Sequence, residues 1–286
     1  MNKYLVVLCL LVAVSGCSKD SVEFSIDNPT AAPISVTIDG TSYEVQPRAA
    51  RELSLRAGLH SMESATTGKL GFVVYTGTRG GLINPTFSPY LIVNEVYATN
   101  ATTAKGFRPG EQTVQLDGVD FKGPFVLSDA LFIDRTWSYG VHEDFPREIR
   151  VGRDSKGNIK SKVFSKDDFI RYVEEAEGTT GLYARSRKAT PPPQRHLPQD
   201  APLPTFADPE MESKAAPLKD LYRRYRQATT ADEQAALQKA YAPAVQELLP
   251  LYAAKARSAS REENEKYNEL ITRVGAALGW SARVVE

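Results

Sequence analysis

The sequence predicts an α+β protein: an N-terminal antiparallel β-sandwich-like domain, then a proline-rich linker, then a C-terminal helical segment. Three observations carry this. Short runs from Ser21 to about Phe164 alternate apolar with polar residues, the period of strands with one buried face. Seven of the twenty residues from Thr190 to Pro209 are proline, which fixes φ, lacks an amide donor and so excludes helix and central strand alike. After Pro217 the apolar residues recur at three- and four-residue intervals, the period of a helix face. The expected units are 17–185 for the β-rich domain with a short closing helix, 186–216 for the linker and 217–286 for the helices.

Each element has its own signal. SVEFSID opens the β region, and ISVTI places Ile34, Val36 and Ile38 on one face. Asp39-Gly40 then predicts a tight hairpin, because glycine tolerates positive φ, and TSYEV returns with Tyr43 and Val45. Leu53 and Leu55 belong to a further strand, and AGLHSME closes the set after Gly58. The apolar runs LGFVVY (70–75), YLIVNEVY (90–97), QTVQL (112–116) and FVLSDALFI (125–133) continue it, with turn residues between them as a sandwich with long loops requires. IRVGRDSKGNIKSKVF (149–164) predicts another hairpin, turning at Lys156-Gly157-Asn158.

Ser165 predicts a helix start, with Asp167 and Asp168 suiting its positive end and Gly178 ending it. Phe169, Ile170 and Val173 form the buried face of this helix. In the tail, Leu218, Leu221, Tyr222 and Tyr225 share a face. Thr230 to Glu233 and Ser260 to Glu263 have capping-box spacing. Tyr267, Leu270, Ile271, Val274 and Leu278 make the last helix face. Pro243 and Pro250 predict a kink or split in the middle helix.

Composition narrows the function classes. Lysine plus arginine balance aspartate plus glutamate at 35 each, so no basic stripe points to nucleic acid. Hydrophobic residues at 42% support a real core rather than global disorder.

The first residues carry the most specific message. Lys3 precedes an apolar run, Tyr4–Val14, of eleven residues, whereas a membrane-spanning helix needs about 20. The run has the length of a signal-peptide core followed by small residues. Val14-Ser15-Gly16-Cys17 resembles the lipobox of bacterial lipoproteins. That resemblance implies cleavage of residues 1–16 as a signal peptide, lipidation of Cys17 and attachment to a membrane through that lipid. Ser18, where an aspartate would imply inner-membrane retention, implies the outer membrane. Of the two cysteines, Cys9 leaves with the signal, so Cys17 has no disulfide partner and the body must fold on its own core. The stretch 34–63, with its strand, Asp-Gly, strand, proline turn, apolar strand, then glycine and histidine, resembles PEGA-type and small immunoglobulin-like modules of bacterial envelope proteins.

Catalytic signals are sparse. His60, His142 and His196 stand in separate segments without metal-ligand spacing. No GxSxG elbow or HExxH occurs, and Tyr75–Gly81 lacks the Lys-Ser/Thr ending of a phosphate loop; it is expected to be a turn between strands. No catalytic residue, metal ligand or cofactor is therefore assigned. The richest polar cluster is TWSYGVHEDFP, in which Trp137, Tyr139, His142 and Asp144 are the candidate ligand-binding residues. The expectation is a lipid-anchored envelope protein that binds or scaffolds a protein partner. Two alternatives are an immunity or inhibitor lipoprotein against a periplasmic toxin, and an envelope hydrolase or carbohydrate-active protein centred on that cluster.

Overall fold

The computed structural model describes residues 20–107, 109–150, 157–188 and 201–285. Cys17, the signal segment, His196 and the prolines at 191, 192, 193 and 198 lie outside the described residues.

Seven strands come first: β1 (Ser21–Asn28), β2 (Ile34–Ile38), β3 (Thr41–Val45), β4 (Ala49–Arg56), β5 (Gly58–Ser64), β6 (Gly68–Val74) and β7 (Gly81–Ile83). β8 (Tyr90–Ala98), the short α1 (Ala101–Ala104), β9 (Gln112–Leu116), β10 (Val119–Gly123), β11 (Phe125–Ser128) and β12 (Phe132–Asp134) follow. Then come β13 (Gly157–Ser165), α2 (Lys166–Glu177), α3 (Leu182–Ser186), α4 (Pro209–Gln227), α5 (Ala231–Lys255), α6 (Arg261–Ala277) and β14 (Ala282–Val285). The content is mixed α and β, as expected.

Two sheets share the first core. One has the order β12-β7-β1-β4 and the other β14-β6-β5-β2-β3. All pairs in these sheets are antiparallel except β1 with β7, which is parallel. Val22, Phe24 and Ile26 from β1 meet Val36, Ile38, Met62 and Phe72 across the gap. The β2–β3 turn forms as its residues dictate, with Asp39 and Gly40 at φ 48° and 79°, the positive values a two-residue hairpin requires.

The glycines before β7 serve a different purpose. A Cβ on Gly80, at φ +70°, would lie 1.7 Å from the Glu23 carbonyl oxygen. Only glycine lets this segment come close enough to lay β7 beside β1. Asn84 then fixes the bend before β8. Its buried amide donates to the carbonyls of Ser88 (2.9 Å) and Ala130 (3.2 Å), and its oxygen accepts from the Ser88 amide.

The β region does not continue as one sandwich. β11-β8-β13 is a separate three-stranded antiparallel sheet. With the β9–β10 hairpin and α2 it encloses a second core of Leu91, Val93, Val114, Phe125, Phe164 and Phe169. FVLSDALFI therefore splits into β11 and β12, which belong to different sheets. The turn expected at Lys156-Gly157-Asn158 is corrected as well, while residues 151–156 of the expected first arm lie outside the described residues. Gly157 and Asn158 are the first residues of β13, which pairs along its length with β8. β8 buries residues on both faces and offers the longer apolar partner. α2 matches expectation: the Ser165 side chain accepts from Asp168 N, Gly178 ends the helix in the left-handed region, and Phe169, Ile170 and Val173 are buried.

The helical region forms a layer on the outer face of the second sheet. Val73 and Tyr75 join Leu218, Leu221, Tyr225, Leu237, Leu270 and Val274 in one core, and Tyr75 stacks on Tyr225 at 4.8 Å. The region starts earlier than expected, at Pro209, because Asp208 caps the helix and proline fits its first turn. Leu203 and Phe206, in the segment expected to be linker, pack on this layer. α4 continues through Pro217, and α5 is not split by Pro243 or Pro250. All three prolines are exposed, as are Ser213, Lys239 and Gln246 four residues before each. The residues whose carbonyls lose an intrahelical donor thus lie on the solvent side of their helices, where water can offset the missing bonds. The chain ends in a strand where helix alone was expected: β14 pairs with β6. Among the described residues no helix is long and apolar enough to cross a membrane.

Candidate functional site

β1 places Glu23, Ser25 and Asp27 on the face opposite its core residues, Glu23 exposed, Ser25 half-buried and Asp27 buried, and the loop after β12 crosses over that face. The loop is held to β13 by backbone bonds: Ser138 N and Tyr139 N both donate to the Ser161 carbonyl, and Val163 N donates to that of Tyr139. Lys162 supplies the second attachment. Its ammonium donates to the carbonyls of Gly140 (2.7 Å), Val141 (2.9 Å) and Glu143, and it lies 4.9 Å from the Phe164 ring centre. Burial pulls the Lys162 pKa down, and the nearby Asp168, Glu143 and Asp144 partly oppose that. Three converging carbonyls thus serve a buried cation in place of water. Tyr97 closes the far end by donating to the Pro146 carbonyl.

This clamped loop brings His142 to Asp27. The Asp27 side chain is only 1% exposed. One carboxylate oxygen accepts from the Tyr90 hydroxyl, and the other lies 2.6 Å from His142 Nε2. A carboxylate only accepts, so Nε2 carries the proton, and Nδ1 holds the lone pair of the neutral ring. The hydrogen bond to Asp27 raises the His142 pKa, burial opposes it, and the charges of Asp27 and Asp168 add to the rise while Lys162 subtracts from it. Burial, then the Asp27 charge, pushes the Tyr90 hydroxyl well above its ordinary value.

Two clefts of about 240 Å³ each meet at this pair. One is floored by Glu23, Ser25 and Glu52 and walled by Arg135, His142 and Glu143. The other lies between Arg48, His142 and the start of α2, with Ser165, Asp168 and Arg171. A half-exposed imidazole backed by a buried carboxylate and flanked by open clefts can take or give a proton at Nδ1. No three of histidine, cysteine, aspartate and glutamate converge for a metal ion among the described residues.

The four candidate residues separate. His142 is at the centre. Trp137 is 4% exposed and packs with Leu82, Tyr90, Ile92 and Val163, so its ring joins the two β units while the residue also lines the first cleft. Tyr139 is half-buried and packs on Phe145 at 5.6 Å. Asp144 is exposed and lines neither cleft. The carboxylate that partners His142 is instead Asp27, 115 residues away. Asp27, Tyr90 and Lys162 carry no sequence signal of this role. The only hint is a charged residue at the end of the alternating strand SVEFSID. His60 lies on β5, stacked on Phe72, with Nδ1 2.6 Å from Asp39.

Comparison with family models, curated proteins and solved structures returns no match to this chain.

Proposed function

We propose that this protein is a lipid-anchored component of the bacterial envelope, held at the outer membrane through Cys17, whose folded body acts by binding a partner protein rather than by catalysis. The observation that carries this reading is Val14-Ser15-Gly16-Cys17 directly behind an apolar run too short to span a bilayer. The body supports it by geometry. Asp20 is already pinned to the fold, its carbonyl accepting from Ala57 N at 2.7 Å. Three residues of extended chain reach about 10 Å, so a lipid on Cys17 would hold β1 next to the membrane surface. Two or more acyl chains, at about 0.8 kcal/mol per buried CH₂, anchor firmly where one is marginal.

Metabolic labelling with a fatty-acid analogue tests the anchor. Wild type is expected to take up label and sediment with outer membranes, and Cys17→Ala to do neither. Equal labelling of both would refute the anchor.

One observation favours a second reading, an envelope hydrolase. The His142–Asp27 pair has the form of an acid–base unit and opens onto two clefts. That reading now rests on Asp27 in place of Asp144. A turnover screen against envelope polysaccharides and peptides, comparing wild type with His142→Ala, decides between the two.

A further inference from the structure

β10 has one edge in a ladder and one edge free. Asp117 and Gly118, at φ 49° and 77°, form the two-residue turn that makes Leu116 and Val119 the closing hydrogen-bonded pair. Bonded pairs then alternate along β9 and β10, so Val119, Phe121 and Gly123 bond to β9. The N–H and C=O of Asp120 and Lys122 point the other way, and among the described residues they take no partner. Both residues are exposed. A two-stranded ribbon with an open edge is a template for a third strand.

The free edge borders a groove rather than open solvent. The helices α2 and α3 form the opposite wall, leaving a cavity of about 130 Å³ between Phe121, Phe125, Val173 and Tyr183. Leu182, on that wall, leaves 48% of its surface exposed. Three carboxylates line the rim, Asp120, Glu174 and Glu177, with Lys122 as the cation of the lining and Arg185 beside Glu174. The Glu174 carboxylate accepts from the amides of Gly181 (2.9 Å) and Tyr183 (2.7 Å), which holds its pKa below the ordinary carboxylate range. It therefore remains charged at the rim.

We propose that β10 and the α2–α3 wall bind an extended segment of a partner protein, one that alternates aliphatic and basic residues. Its backbone adds as a strand to Asp120 and Lys122, its aliphatic side chains enter the groove, and its lysines or arginines meet the acidic rim. Strand addition between a strand edge and a helix supplies affinity from the backbone and selectivity from alternate side chains. This goes beyond membrane attachment and is independent of it.

The test uses the full-length protein in detergent and three fluorescent hexapeptides: one alternating lysine with valine, one alternating glutamate with valine, and a lysine–valine version N-methylated along one edge. Anisotropy is expected to show the lysine–valine peptide binding at least about tenfold tighter than either other, the loss of one or two hydrogen bonds. Lys122→Pro removes an amide that β9 does not use, so thermal unfolding should be unchanged while binding falls by about tenfold. Glu177→Lys should shift preference toward the glutamate peptide. Should Lys122→Pro misfold, Leu182→Glu on the exposed wall serves instead. Equal binding of the two charged peptides, undiminished binding by Lys122→Pro, or self-association of the chain through this edge would overturn the proposal. Cys17→Ala should bind as wild type does, so failure of the anchor and failure of this site are read separately.

Discussion

Gln234 is the side chain on which the contact between the helical layer and the second sheet most depends. It is fully buried near the start of α5. Its oxygen accepts from Thr76 N at 2.8 Å, and its amide donates to the carbonyls of Val74 (3.1 Å) and Ala228 (3.0 Å). Gln234→Met keeps the length and apolar stem but takes the partner from Thr76 N and the Ala228 carbonyl, while the Val74 carbonyl keeps its place in the β5–β6 ladder. Each buried orphan costs about 1–3 kcal/mol, so the expected loss is about 2 kcal/mol even at the low end, a large share of the 5–15 kcal/mol typical of whole domains. Urea denaturation followed by tryptophan fluorescence measures it. Gln234→Glu adds a pH signature. A buried carboxylate has its folded pKa raised above the unfolded value of about 4.3. Protonated, it can donate again, so this variant should lie closest to wild type below about pH 4.3 and fall behind as pH rises above that. A Gln234→Met loss under about 0.5 kcal/mol, or a pH-independent Gln234→Glu, would refute the reasoning.

The remaining predictions concern the loop and the close approach. Lys162→Met should destabilise the fold by about 2–3 kcal/mol and speed amide exchange in residues 140–143, because three carbonyls lose their shared donor. Wild type should exceed His142→Gln in stability most below about pH 6.5, with the gap closing as pH rises through the raised pKa of His142; a gap that widens with pH would contradict the pairing with Asp27. Tyr90→Phe should lose about 1–3 kcal/mol by removing a buried donor to Asp27, measured by thermal unfolding. Gly80→Ala should cost at least about 3 kcal/mol, since its Cβ would sit 1.7 Å from the Glu23 carbonyl oxygen; a loss below about 1 kcal/mol would mean that β7 can leave β1 cheaply.

Local rules made some elements legible. Asp39-Gly40 turned where two positive φ values were needed, and Ser165, Thr230 and Ser260 each cap the helix that follows. Leu218, Leu221, Tyr222 and Tyr225 are buried together, as their spacing requires. The errors share a cause. Pro243 and Pro250 do not split α5, because proline's penalty depends on whether the freed carbonyl can reach water, and that depends on which face of the helix packs. The turn expected at Gly157-Asn158 is instead the start of β13, whose partner β8 lies far back in the chain. β14 is four residues long and carries no period of its own.

The sequence by itself determined the class of the fold, most strand and helix positions and the short apolar segment ending at Cys17, because periods, caps and turns act over a few residues. Only the tertiary structure decided that the β region divides its core between separate sheets and that the helices lie on the second sheet. It also decided that His142 answers to Asp27. A buried carboxylate on β1 and an imidazole 115 residues later meet because Lys162 gathers the carbonyls of the loop between β12 and β13. Such convergence depends on desolvation and long-range packing, which no local pattern encodes.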